Sequence, residues 1–163
     1  MLINTVVRPN VENEQSDWTR SLFQLPSREI WINAALMHMG YPDLNQARPR
    51  IREMVTNTSF SVLKMVEPQF LFKSAEITSY TKNEFQIQEK IHIQTRRWSH
   101  LLSRLTSPEQ ACCLALTLGP AIESRIEELS RESVMQAYIW DALCSVLAEY
   151  LADQAETYLA KHY

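Results

Sequence analysis

"EQACCLALTLGP" (residues 109–120) is the stretch on which the fold turns, because an unbroken apolar run does not show its own period. It reads either as the middle of a helix or as a buried strand. Its short length and the Thr-Leu-Gly-Pro ending favour the strand, and a strand here makes the chain mixed and not all-helical. Gly119 then serves as an N-cap and Pro120 as the first helical residue, where a missing N–H costs nothing. The segment that follows, "AIESRIEELSRE", repeats Ile122, Ile126 and Leu129 at helical spacing. From Ser133 to the last residue there is no Gly or Pro, so residues 134–163 form one long helix.

Upstream, residues 67–93 alternate apolar and polar side chains in "QFLFKSAEITSY" and "EFQIQEKIHIQ", the pattern of half-buried strands, with a turn at "TKNE" (81–84). Thr95 opens a helical segment in which Trp98, Leu101, Leu102 and Leu105 recur. Nearer the start, Ser27 caps a helix with Ile32, Ala35, Leu36 and Met39 on one face, stopped by Gly40 and Pro42. Asp43 is expected to cap a second helix that Pro49 interrupts or starts. Its apolar positions Ile51, Met54, Val55, Phe60, Leu63 and Val66 suit it to cover a sheet. Residues 1–26 show no clear period. The order of elements implies an α+β fold, and no linker, repeat or low-complexity segment divides residues 1–163, which read as a single domain.

With 163 residues and 45% hydrophobic composition, the chain is long enough for one real core. No uncharged apolar stretch is long enough to span a bilayer, and the N-terminus lacks a basic segment followed by an apolar one, so a cytoplasmic location is expected. Cys112 and Cys113 are adjacent and Cys144 stands alone, which builds neither a disulfide framework nor a zinc site; buried free thiols are expected. The net charge of −3 leaves no excess positive field for nucleic acid, despite small basic clusters at residues 48–52 and at Arg96-Arg97.

Catalytic signatures are missing: there is no Gly-x-Gly-x-x-Gly, phosphate-loop Lys, Gly-x-Ser-x-Gly or His-Glu-x-x-His. His38, His92, His100 and His162 are far apart and carry no ligand spacing. "MHMGYPD" fails the corrinoid-binding pattern Asp-x-His-x-x-Gly, having Leu36 two residues before His38 and Tyr41 three after it. A cysteine hydrolase built on Cys112 or Cys113 has little support, since adjacent strand residues face opposite ways. The less ordinary feature is in the long helix, where Asp141, Ser145, Glu149 and Asp153 follow at intervals of four and form a polar stripe. Such a stripe is either a solvated face or a row of acceptors for ligand hydroxyls or an amine.

Two stretches, "LALTLGPAIESRIEEL" (114–129) and "ALCSVLAEYLADQAETYLAKHY" (142–163), together resemble the reactivation domain of cobalamin-dependent methionine synthase and its stand-alone relatives. In that family an apolar strand ends in Thr-Leu-Gly, a short helix follows, and a long helix carries a Leu-Ala-Glu-x-x-Ala-[Asp/Glu] core. "SREIWINAALMHMGYPD" (27–43) is similar to the helix and Gly-Tyr turn near the start of the stand-alone relatives. The resemblance implies a curved antiparallel sheet flanked by helices, with a long C-terminal helix. It also implies S-adenosylmethionine as ligand, beside a corrinoid carried by another domain or protein, so that cob(II)alamin is reduced and methylated. The Glu that contacts the ribose in that family corresponds to Glu149, and its Asp-Trp-Thr has an echo in Asp17-Trp18-Thr19.

The family's main ligand-binding segment, Arg-x-x-x-Gly-Tyr-Pro, lies several tens of residues beyond the long helix and has no counterpart in these residues. Gly40-Tyr41-Pro42 does not replace it, because Leu36 stands at the Arg position. The resemblance therefore covers about the first two thirds of the family fold. It implies weakened S-adenosylmethionine binding by this chain alone and cobalamin only through a partner. The expected role is an accessory, non-catalytic module that docks on a corrinoid protein or methyltransferase domain. The alternative is a structural or dimerisation module that has kept the fold and lost the ligand. A homodimer would then cover Trp140, Leu143, Leu147, Leu151, Tyr158 and Leu159 of the long helix.

Overall fold

The computed structural model of the chain describes residues 24–42, 46–88, 91–105 and 107–162. They form five helices and a curled four-stranded antiparallel sheet, an α+β architecture. In chain order these are α1 (Arg28–His38), α2 (Pro49–Met65), β1 (Gln69–Tyr80), β2 (Glu84–Ile87), β3 (Ile91–Gln94), α3 (Arg96–Leu102), β4 (Gln110–Thr117), α4 (Pro120–Glu132) and α5 (Val134–His162). The described chain divides into two compact units, one of residues 71–115 and one of residues 24–70 and 116–162.

The helical unit is built around α5, against which α1, α2 and α4 all pack. Ser27 caps α1 as expected, its hydroxyl accepting from the Ile30 N–H at 3.4 Å. The residues that α1 buries are Trp31, Ala35 and Leu36, with Ile32 and Met39 half-buried at the margin. The Trp31 indole donates to the Leu143 carbonyl at 2.8 Å, so the largest buried side chain of α1 also has its one polar atom satisfied. The helix ends in a Schellman motif. Gly40, at φ +91°, donates to the Met37 carbonyl and Tyr41 donates to the Leu36 carbonyl.

Pro49 starts α2, with Arg48 at the N-cap; Asp43 lies outside the described residues. The buried residues of α2, Val55, Ser59 and Val62, belong to the helical core, and its neighbours are α1, α4 and α5. Phe60, counted on the apolar face, stands largely exposed beneath the Arg28 guanidinium, 4.2 Å from the ring centre. Ser59 reaches full burial by donating to the Thr56 carbonyl, so a polar residue occupies a core position that a hydrophobicity pattern leaves out.

Gly119 is the N-cap of α4 and Pro120 its first residue, as read from the sequence. At φ +103° and ψ 151° Gly119 occupies a region that residues with a Cβ avoid, and an added Cβ would lie 3.3 Å from Glu67 Cβ and 3.3 Å from the Glu67 carbonyl oxygen. The Glu67 N–H donates to the Leu118 carbonyl at 2.9 Å, which holds that backbone against the turn. α4 buries Ile122 and Leu129 and stops at Ser133, whose hydroxyl then accepts from Gln136 at the start of α5.

The sheet has strand order β3-β2-β1-β4: three consecutive strands and a fourth that returns after α3 to lie beside β1, a Greek-key order. In the β1–β2 hairpin Tyr80 faces Phe85 and Ile77 faces Ile87, with an irregularity between Ile77 and Ser79. The turn at residues 81–84 closes through the Thr81 N–H and the Glu84 carbonyl at 2.8 Å. Thr95 caps α3 by accepting from the Arg97 N–H. Trp98 holds α3 to the hairpin: its indole donates to the Thr81 carbonyl at 3.0 Å, and its ring lies 4.3 Å from that of Phe85 and 6.3 Å from that of Tyr80. Leu101 and Leu105, expected to share its inward face, are about half exposed. Residues 109–119 contain a strand, β4, which settles the question raised by the apolar run.

Candidate functional site

The long helix α5 presents the polar stripe that the sequence singled out. Its buried side chains Leu143, Leu147, Leu151 and Ala155 recur every four residues and are completely inaccessible. Asp141, Ser145, Glu149 and Asp153 each precede one of these by two residues, a rotation of about 200° around the axis, so the stripe lies opposite the buried row. Asp141, Glu149 and Asp153 are exposed and Ser145 is half-buried. From Asp141 to Asp153 the stripe runs roughly 18 Å at the helical rise of 1.5 Å per residue.

The side of α5 away from the stripe is packed into the core. Between Ile139 and Cys144 only Asp141 is exposed; the other five residues are buried by α5's neighbours. Glu149 sits two residues before Leu151 and next to Tyr150, whose ring is partly open to solvent. Its carboxylate is a charged acceptor on a helix whose opposite side is packed in the core, suited to a hydroxyl pair or an ammonium group. The like charges of Glu149 and Asp153, one turn apart, cost about 0.2–0.5 kcal/mol in a solvated setting, and a cationic or hydroxyl-bearing ligand would relieve that repulsion.

The apolar positions of α5 that were candidates for a dimer surface are occupied by the chain itself. Trp140, Leu143, Leu147, Leu151 and Leu159 are buried, Trp140 and Leu159 the most accessible at 6% and 8%, and Tyr158 is intermediate. Helix α5 is thus packed by α1, α2 and α4 along the face that the sequence left unpartnered.

The cysteines differ from the expectation of buried thiols. Cys144 is buried, but Cys112 and Cys113 are exposed, on opposite faces of β4 as adjacent strand residues are. Burial, and then the Asp141 carboxylate, push the Cys144 thiol up to about 12. Cys112 is also raised, by partial desolvation and by Cys113, against a smaller opposing effect of a hydrogen bond from the Lys73 backbone. Neither has the lowered thiol pKa that a nucleophile needs.

His38, His92 and His100 are exposed on α1, β3 and α3, and His162 lies in the last turn of α5. Among the described residues no three His, Cys, Asp or Glu side chains gather as metal ligands. In the sheet unit an open hollow of about 430 Å³ is lined by Asn83, Gln94, Thr95 and Arg96. The sequence marked Thr95 as opening a helical segment and Arg96 as part of a basic pair; that Asn83 joins them follows from the Thr95 N–H donating to the Asn83 carbonyl. Asp17, Trp18 and Thr19 lie outside the described residues. Among the described residues no helix is long and apolar enough to cross a membrane.

No protein-family model matches the chain, and no curated protein matches it.

Proposed function

We propose that this chain is an accessory module of a corrinoid-dependent methyltransferase system, related to the S-adenosylmethionine-dependent reactivation of cobalamin, and that it binds without catalysing. The observation that carries this reading is Glu149, an exposed carboxylate within a Leu-Ala-Glu stretch, set on a helix whose opposite side is buried. The carboxylate accepts from the ribose hydroxyls of S-adenosylmethionine, and the corrinoid is brought by a partner protein or methyltransferase domain. The α+β architecture with its strand, Gly119 turn, short helix and long helix in succession supports the same reading. The net charge of −3 suits a protein partner in the cytoplasm better than a nucleic acid.

Titration calorimetry with S-adenosylmethionine tests this, on the unmodified chain and on Glu149→Ala. Affinity that the substitution reduces about tenfold or more supports the site, since a hydrogen bond to a charged group contributes about 1.5–3 kcal/mol. Binding that Glu149→Ala leaves unchanged overturns the site. Absence of binding together with no corrinoid protein or methyltransferase retained by the immobilised chain overturns the function.

A further inference from the structure

The hollow in the sheet unit is assembled from two stretches: Asn83 in the turn between β1 and β2, and Gln94, Thr95 and Arg96 where β3 passes into α3. The stretches are tied together. The Thr95 N–H donates to the Asn83 carbonyl at 3.2 Å, the Trp98 indole donates to the Thr81 carbonyl at 3.0 Å, and the Trp98 ring lies 4.3 Å from that of Phe85. Much of the ordering that a ligand would otherwise have to impose on these residues is therefore already made.

Donors dominate the lining. Arg96 contributes a guanidinium, Asn83 and Gln94 an amide NH2 each, and Thr95 a hydroxyl. The Thr95 oxygen already accepts from the Arg97 N–H at 3.3 Å, so its proton is left to be donated outward. The first amides of α3 are occupied, Arg97's by the Thr95 hydroxyl and Trp98's by the Thr95 carbonyl, so the donors of the hollow are side chains and not a helix end. No carboxylate stands among the described lining residues. The ion pairs among the described residues are Arg125–Glu128 and Arg131–Glu127, and Arg96 belongs to neither.

We propose that this hollow seats a small phosphate monoester, with the Arg96 guanidinium and the Thr95 hydroxyl on the phosphate oxygens and the Asn83 and Gln94 amides on the body of the ligand. A phosphate brings negative charge and several acceptor oxygens, two of which a guanidinium fork matches at once. About 430 Å³ is within the usual range for small-molecule sites and leaves room beyond the phosphate for a hydroxyl-bearing body. Amides both donate and accept, which suits hydroxyls there. A polyanion such as a nucleic acid is opposed by the net charge of −3. The site shares no residue with the α5 stripe and does not rest on the corrinoid reading.

Amide NMR titration of the full chain tests this with glycerol phosphate, glycerol and inorganic phosphate as probes. The expected result is saturable shifts at Asn83, Gln94, Thr95 and Arg96 with glycerol phosphate, weaker binding of inorganic phosphate at the same residues, and no shifts with glycerol. Arg96→Gln, at an exposed position, weakens binding of the ester about tenfold or more, whereas Arg97→Gln, outside the lining, changes it less than about twofold. The absence of saturable shifts at these four residues with glycerol phosphate overturns the proposal. So does an equal loss from Arg97→Gln, which would mean diffuse charge attraction, or equal affinity for inorganic phosphate, which would mean an ion seat with no place for an ester.

Discussion

Gly119 and Gly40 are the only glycines in the chain, and both have positive φ, but they have different surroundings. A Cβ at Gly40 would meet nothing within 4 Å, whereas one at Gly119 would press on Glu67 at 3.3 Å. Gly40→Ala should therefore cost about 1 kcal/mol from backbone strain alone, and Gly119→Ala distinctly more, about 2–3 kcal/mol. Urea unfolding of the two variants checks the order; equal losses would show that Glu67 moves aside. Cys144 gives a second prediction at this scale. Its folded pKa of about 12 lies above the ordinary thiol value of 9.0, so the unfolded chain loses its thiol proton first as pH rises. The stability it contributes is fully present below about pH 9 and disappears as pH rises through about 12. Cys144→Ala should flatten the alkaline side of the stability curve, and in the native protein iodoacetamide should label Cys112 and Cys113 well before Cys144.

At the scale of elements, α5 carries the fold. Leu147 and Leu151 are completely buried among three helices, so either Leu→Ala should cost about 2–5 kcal/mol through lost contacts and a residual cavity. Glu149→Ala, on the opposite face, should change stability by about 0.5 kcal/mol or less. A denaturation series over these three variants measures the contrast, and a large loss at Glu149 would mean that its carboxylate has a structural partner. The helices were legible because their stops and caps are local: Ser27, Gly40, Thr95, Gly119 and Pro120 each act within a turn of where they stand in sequence. β4 was legible from its length and its ending. The partner of α2 was not, because an apolar stripe states that a face will be covered and not by what. The exposure of Cys112 and Cys113 was equally hidden, since what covers each face of a strand is set by long-range packing that a local run does not show.

On the scale of the whole molecule, the two compact units divide the tasks. The helical unit holds the stripe of Asp141, Ser145, Glu149 and Asp153 on a helix packed along its other side, and the sheet unit contains most of the uncharged strand β4. What the sequence conveyed of the site was its position: intervals of four predicted a row, and the buried row two residues out of phase turned it towards solvent. The ligand was not legible in the same way, because chemical identity depends on groups that approach the stripe from outside α5. The most direct test of the central claim is therefore calorimetric titration of the full chain with S-adenosylmethionine, with and without a corrinoid protein, compared with Glu149→Ala. The account predicts binding that the partner strengthens and the substitution weakens at least several-fold; affinity indifferent to Glu149 would contradict it.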